Sequence, residues 1–272
     1  MKKILQCLLI IGLVLGISGC TKSKTRGENE LKVSATSNPH AKILEQAKPI
    51  LKEKYGIDLT VEVLDDYYLF NKSLDDNEVD ANYFQHVPFF EEDVEKNGYE
   101  LTNAAGIHIE PFGFYSKTIK DVNELKDGAT IVISNSVADH GRILTMLANA
   151  NLITLKGGVK PINAELKDIL DNPKNLQFKE VKPEFLVTSY NNNEGDLVAI
   201  NGNYALQANL NPVNDAVILE DTSLDNPYVN IIAVKTGHEN DEKIKALIEV
   251  LKSNEIKQFI EQEYKGSVIV VE

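Results

Sequence analysis

Aromatic residues crowd one stretch of the chain. Tyr67, Tyr68 and Phe70 follow an alternating apolar run, and Tyr83, Phe84, Phe89 and Phe90 come soon after, with Gln85 and His86 among them. Taken singly, each ring reads first as core packing. Together, placed just past a strand and beside an amide and an imidazole, they read as the wall of a ligand pocket. Arg142 is the second candidate. Asn135 and Ser136 end an apolar strand and Gly141-Arg142 is expected to open a helix. A guanidinium there grips a carboxylate through two parallel hydrogen bonds, helped by the helix amino-terminus; the bland alternative is a surface arginine. Asn201 and Asn230 each sit at the end of an apolar strand. Their amides can accept from an ammonium and donate to a carboxylate, although capping a turn is the commoner task of such residues. Arginine, amides and rings together suit a free amino acid with an apolar side chain. A thioether is favoured, because sulfur packs well against ring edges.

The elements that must position these groups follow from periodicity. Leu31, Val33 and Ala35 alternate, which predicts a strand. A helix from about His40 to Tyr55 carries Leu44, Ala47 and Leu51 at helical spacing, with Pro49 as its weak turn and Gly56 as its stop. Ile57, Leu59, Val61 and Val63 alternate again, completing a βαβ unit, the building block of a parallel sheet. Later strands are expected at Thr130–Ile133, Leu176–Phe178, Leu197–Ile200 and Tyr228–Val234, a helix at His140–Asn149, and a helical carboxyl end from Ile244 to Ile260. Strands alternating with helices throughout make an α/β protein. If the chain forms two lobes, Glu110–Tyr115 and Asp225–Asn230 are the candidate crossings.

The first residues read as an export signal: Met1-Lys2-Lys3, an apolar run from Ile4 to Ile17 broken by Gln6, then Ile17-Ser18-Gly19-Cys20. The run is shorter than the roughly 20 residues a spanning helix needs. Ile-Ser-Gly-Cys resembles the lipobox of bacterial lipoproteins, which implies cleavage before Cys20 and lipid on its thiol. The cell membrane, on its extracytoplasmic face, is then the expected location. Cys7 and Cys20 are the two cysteines, so the mature chain retains one, already acylated, and no internal disulfide can form. A net charge of -13 argues against nucleic acid, whose phosphates need a basic surface. No nucleophile motif, phosphate loop or paired cysteine motif is present, and none of the five histidines stands three or four residues from another. The expectation is no catalysis, no cofactor and no metal. Two rivals remain in view: a metal-binding lipoprotein in which several of His40, His86 and His108 converge, and a surface adhesin on a binding-protein scaffold.

Asn38-Pro39-His40-Ala41-Lys42, Asp66-Tyr67, Asp80 to Pro88 (Asp-Ala-Asn-Tyr-Phe-Gln-His-Val-Pro), Gly141-Arg142, Asn172-Pro173-Lys174-Asn175-Leu176, Asn201-Gly202-Asn203-Tyr204-Ala205 and Pro227-Tyr228-Val229-Asn230 occur in one order. That succession resembles the NlpA/MetQ lipoproteins, methionine-binding components of ABC importers. The resemblance implies a two-lobed, type II periplasmic-binding-protein fold with the ligand cleft between lobes. It divides the chain into a signal peptide at 1–19, a lipidated cysteine and flexible tether at 20–30, one lobe from 31–112 plus 231–272, and a second lobe at 113–230 that includes the hinge crossings. It implies that Arg142 takes the ligand carboxylate, that Asn201 and Asn230 hold the head group, and that Tyr67, Tyr83, Phe84, His86 and Phe89 line the side-chain pocket. The implied partners are L-methionine or a similar amino acid or short peptide, an ABC permease with its ATPase, and the membrane through the lipid; the protein itself is expected to be monomeric. Phe89 stands where the family usually has tyrosine, and Phe70 where it has proline. Asp139 lies in a stretch that usually reads Asn-Asp-Pro-Thr-Asn, and an acid beside the ligand carboxylate would oppose its binding.

Overall fold

Leu31, Val33 and Ala35 point into a core from β1 (Glu30–Ala35), the first strand of the computed structural model, which describes residues 27–222 and 226–271. The expected signal, Cys20, most of the tether and Asp225 lie outside those residues. From β1 the chain runs through α1 (Lys42–Tyr55), β2 (Asp58–Val63), α2 (Tyr67–Asp75), β3 (Ala81–His86), α3 (Val87–Asn97) and β4 (Leu101–Ile109). It then passes into β5 (Gly113–Tyr115), β6 (Thr130–Ser134), α4 (Val137–Asn149), a ribbon of β7 (Thr154–Leu155) and β8 (Ile169–Asp171), β9 (Gln177–Val181) and α5 (Leu186–Asn191). β10 (Leu197–Ile200), α6 (Gly202–Gln207), α7 (Pro212–Asp215) and β11 (Ile218–Leu219) complete that half. β12 (Val229–Lys235), α8 (Glu242–Leu251), α9 (Asn254–Tyr264) and β13 (Ile269–Val270) return to the first.

Two sheets organise these elements, one per lobe. The first has the order β13-β4-β12-β3-β1-β2, and the second β11-β5-β10-β6-β9. Within the first, β1 pairs in parallel with β2 and β3, as the βαβ pattern predicts, and Val33 sits opposite Val61. β12 joins antiparallel to β3 and β4. In the second, β6 is parallel to β9 and β10, while β5 runs antiparallel to β10 and β11. The carboxyl ends of β1, β3, β6 and β10 feed the loops and helix starts that meet between the sheets. This is where ligands sit in open α/β sheets.

Each lobe has its own apolar core. Leu31, Val33, Ile43, Leu44, Ile107 and Leu247 belong to the first, and Phe114, Ile131, Ile133, Ile143, Leu147 and Leu197 to the second. A further cluster draws on both sides, with Tyr67, Phe70, Phe84 and Phe89 packed against Val198, Ile200 and Tyr204. α1 continues through Pro49 and stops at Gly56, whose φ of 69° is the left-handed cap that glycine adopts without strain. The expected single carboxyl-terminal helix is two, because Ser253 caps a new start by accepting from the Ile256 N–H.

α4 begins at Val137, earlier than expected, so Gly141-Arg142 lies in its second turn and not at its opening. Gly141 is there because the backbone of 161–162 crosses the helix. A Cβ at that position would stand 2.5 Å from the Ile162 carbonyl oxygen and 2.6 Å from that of Pro161. Backbone cannot yield as a side chain does, so Gly141→Ala should lower stability by about 1–3 kcal/mol. Urea unfolding checks this as a lower midpoint at unchanged slope; an unchanged midpoint would mean the crossing is not tight.

Candidate functional site

A small cavity lies where the two lobes meet. Tyr67, from the first turn of α2, stacks on Tyr204 of the opposite lobe with ring centroids 5.0 Å apart. Phe84 of β3 lies flat on Phe70 at 3.9 Å and meets Phe89 edge-on at 5.8 Å. These rings form the apolar wall. The polar side comes from His86, Glu110, Arg142, Asn201, Asn203 and Asn230. Of the eight residues expected at the site, the structure brings Tyr67, Phe84, His86, Phe89, Arg142, Asn201 and Asn230 to this cavity.

Tyr83 is a correction. Successive residues of a strand face opposite ways, so Phe84 and His86 share the cleft face and Tyr83 turns into the first core. There its hydroxyl meets His108 Nδ1 and its ring abuts His40. The rings at 67, 68 and 70 follow β2 as expected and sit on α2, and β3 carries Tyr83 and Phe84.

Arg142 already holds a carboxylate of the protein's own. Its Nε donates to Glu220 Oε1 at 3.0 Å and its Nη2 donates to Glu220 Oε2, a two-pronged pair buried on both sides. Nη2 also reaches the Glu110 carbonyl at 3.3 Å. The guanidinium is clamped between the rings of Phe112 at 4.8 Å and Tyr228 at 4.1 Å. Burial works against its charge, and Glu220 more than offsets that. The helix dipole does not serve Arg142. The N-terminal N–H of Ala138 is taken at 2.8 Å by Glu92 Oε2 from the opposite lobe.

Asp139 does not line the cavity; it sits behind two residues that do. It accepts from His86 Nε2 at 3.1 Å and from Asn201 Nδ2 at 3.1 and 3.2 Å. Burial pushes its carboxyl up, but the His86 contact, the Arg142 charge and the Asn201 hydrogen bond prevail and hold it below the usual range. Further contacts span the cleft: Tyr67 donates its hydroxyl proton to Asn203 Oδ1, and Tyr204 donates to the Asp65 carbonyl at 2.7 Å.

Glu110, on the crossing between the sheets, was not singled out from sequence as a site residue. Its Oε1 stands 3.0 Å from His108 Nε2 and 3.2 Å from His40 Nε2. The metal-binding alternative expected several of His40, His86 and His108 to converge. The first and last do, around Glu110, whereas His86 goes to Asp139. The other ring nitrogens face hydroxyls, His40 Nδ1 with Thr36 at 2.6 Å and His108 Nδ1 with Tyr83. With hydroxyls donating to Nδ1, His108 Nε2–H donating to the carboxylate and His40 Nε2–H donating to Asn230 Oδ1 at 3.0 Å, every ring site is used. A cation would have to displace both Nε2 protons, so the cluster reads as a buttress. Gly202 admits Glu110 at close range, since a Cβ there would lie 2.6 Å from the Glu110 Cβ. Asn203, two residues after Asn201, is the other missed residue; that spacing at a helix opening was its one sequence signal.

Burial holds both buttress rings neutral. His40 is pushed down to about 4 against the pull of Glu110, and His108 by burial alone to about 3. A ring that resists protonation when folded yet takes a proton near 6.5 when unfolded contributes stability above 6.5, lost as pH falls below it. Burial raises the Glu110 carboxyl, which acts in the opposite sense, so a difference between variants is the clean measure. At pH 5 the share of His108 is about 2 kcal/mol. His108→Gln, which cannot be protonated, should lose that much less stability than the parent between pH 7 and pH 5 in urea unfolding.

Comparison with known proteins places this architecture. The family model of the NlpA lipoproteins matches residues 31–271. The methionine-binding lipoprotein MetQ of Bacillus subtilis is 53% identical over 265 residues, covering 97% of this chain and 96% of its own. A solved lipoprotein structure from Bacillus subtilis, 55% identical, superposes with a TM-score of 0.88 over 90% of this chain and 99% of that one. A nutrient-binding protein from Burkholderia cenocepacia, solved bound to methionine, is 34% identical with a TM-score of 0.84, covering 89% and 100%.

Proposed function

The chain belongs to the NlpA lipoprotein family, and on that basis we propose that it captures L-methionine, or a close relative or short peptide containing it, between its two lobes. It is a substrate-binding protein of an ABC importer and not an enzyme. Its work is a closure equilibrium biased by ligand and delivery of that ligand to a permease and its ATPase.

The observation that carries the reading is the cavity itself. Tyr67, Phe84 and Phe89 offer ring faces and edges to a thioether side chain, while Asn201, Asn203, Asn230 and Arg142 stand at the polar side for an amino-acid head group. The side chains of Tyr67, Phe84, His86 and Phe89 line the apolar part in this reading, and Asn201, Asn230 and Arg142 the polar part. Calorimetry with L-methionine on the full chain should give a saturable heat and a raised unfolding temperature. Absence of both, with methionine and with short methionine peptides, would sink the reading.

The anchor belongs to the same proposal. Ile17-Ser18-Gly19-Cys20 supports acylation of Cys20 and residence on the outer face of the cell membrane. Cys20→Ala should move the protein from the membrane pellet to the soluble fraction and abolish palmitate labelling. Retention in the pellet would replace the lipid with an uncleaved apolar anchor.

A further inference from the structure

We propose that Asp139 is a positioning residue that makes this cleft select its ligand by the ammonium group before the carboxylate. The inference rests on the reading of the cleft as an amino-acid site. Asn201 Nδ2 donates to both oxygens of Asp139, at 3.2 and 3.1 Å. An ionised carboxylate only accepts, so the amide cannot turn over. Its oxygen therefore faces away from Asp139. That oxygen is buried without a partner, on a residue that lines the cavity. A buried acceptor left unpaired is costly, and the ligand group that answers it is a donor.

Asn203 is set in the opposite sense. Its Oδ1 accepts from the Tyr67 hydroxyl, which leaves Nδ2 buried without a partner in the same cavity. One amide thus offers an acceptor and the next but one a donor, a complementary pair for a zwitterion. The charges are unequal. Arg142 spends Nε and Nη2 on Glu220 before any ligand arrives. His86 Nδ1 accepts from the Phe89 N–H at 3.2 Å, so the proton that faces Asp139 is on Nε2. The Asp139 carboxylate stands 3.1 Å behind Asn201; it feels the Arg142 charge, but Arg142 makes its own hydrogen bonds with Glu220. An ammonium at Asn201 Oδ1 completes the set, whereas a carboxylate finds a neutral amide and a guanidinium already compensated.

Three near-isosteric probes decide the matter by calorimetry on the full chain: L-methionine, its 2-hydroxy analogue in which a hydroxyl replaces the ammonium, and L-methioninamide in which an amide replaces the carboxylate. The hydroxy analogue should bind about 100-fold or more weakly than methionine, and the methioninamide within about tenfold of it. The reverse order overturns the inference. In Asp139→Asn, whose amide no longer dictates the sense of Asn201, the gap between methionine and the hydroxy analogue should shrink to about tenfold or less. A gap unchanged in a variant that still melts cooperatively removes Asp139 from the role. Should that variant fail to fold, the ligand order on the parent still decides whether the ammonium is selected. If methionine itself gives no heat, the functional reading falls and takes this inference with it; if methionine binds and the hydroxy analogue binds equally well, this inference alone falls.

Discussion

A carboxyl group buried where the chain crosses between two sheets must be supplied with partners, and Glu110 is that group. Its needs organise the surroundings. His40 arrives from the turn after β1, His108 from β4, and the Asn203 N–H from the opening of α6 in the other lobe. Gly202 is the residue that lets that opening come close enough. The same crossing lends its carbonyl to Arg142. Both lobes are thereby referenced to one short segment, and the polar side of the cavity is assembled around it. Burial of an ionisable group is tolerated only with such compensation.

The apolar side obeys a different rule. Rings from α2, β3 and α3 meet Val198, Ile200 and Tyr204 from the opposite lobe, so closure buries apolar surface that an open cleft would leave wet. Directional contacts then fix the register of closure. The Tyr204 hydroxyl on the Asp65 carbonyl, His86 on Asp139, and the Glu92 carboxylate on the first turn of α4 all join one lobe to the other. The apolar contact supplies attraction without orientation, and the hydrogen bonds supply orientation.

The βαβ start was legible in the sequence because β1 and α1 bury one face each and so leave a periodic trace. β3 left none. All six of its residues are buried, so Tyr83 and Phe84 look alike in sequence although one belongs to the core and the other to the cleft. Asn201 and Asn230 were found from their place at strand ends, and Arg142 from its type. Glu220 and Glu92 were not, because the partners that give them meaning lie 78 and 46 residues away. Such contacts are properties of the folded chain, and no local pattern encodes them. Ordered blocks along the chain carried the family resemblance, and with it the two-lobed architecture, where periodicity alone reached only α/β.

Arg142 and Glu220 both belong to the second lobe, and Glu220 is held in turn by the Phe112 N–H at 3.1 Å. Their pairing does not depend on the lobes being shut. Chloride, sulfate or phosphate would be drawn to a bare guanidinium in a concave, poorly screened cleft. Because the internal carboxylate satisfies that charge in advance, the cleft offers mineral anions no uncompensated guanidinium. Its affinity is then kept for molecules that present more than a negative charge.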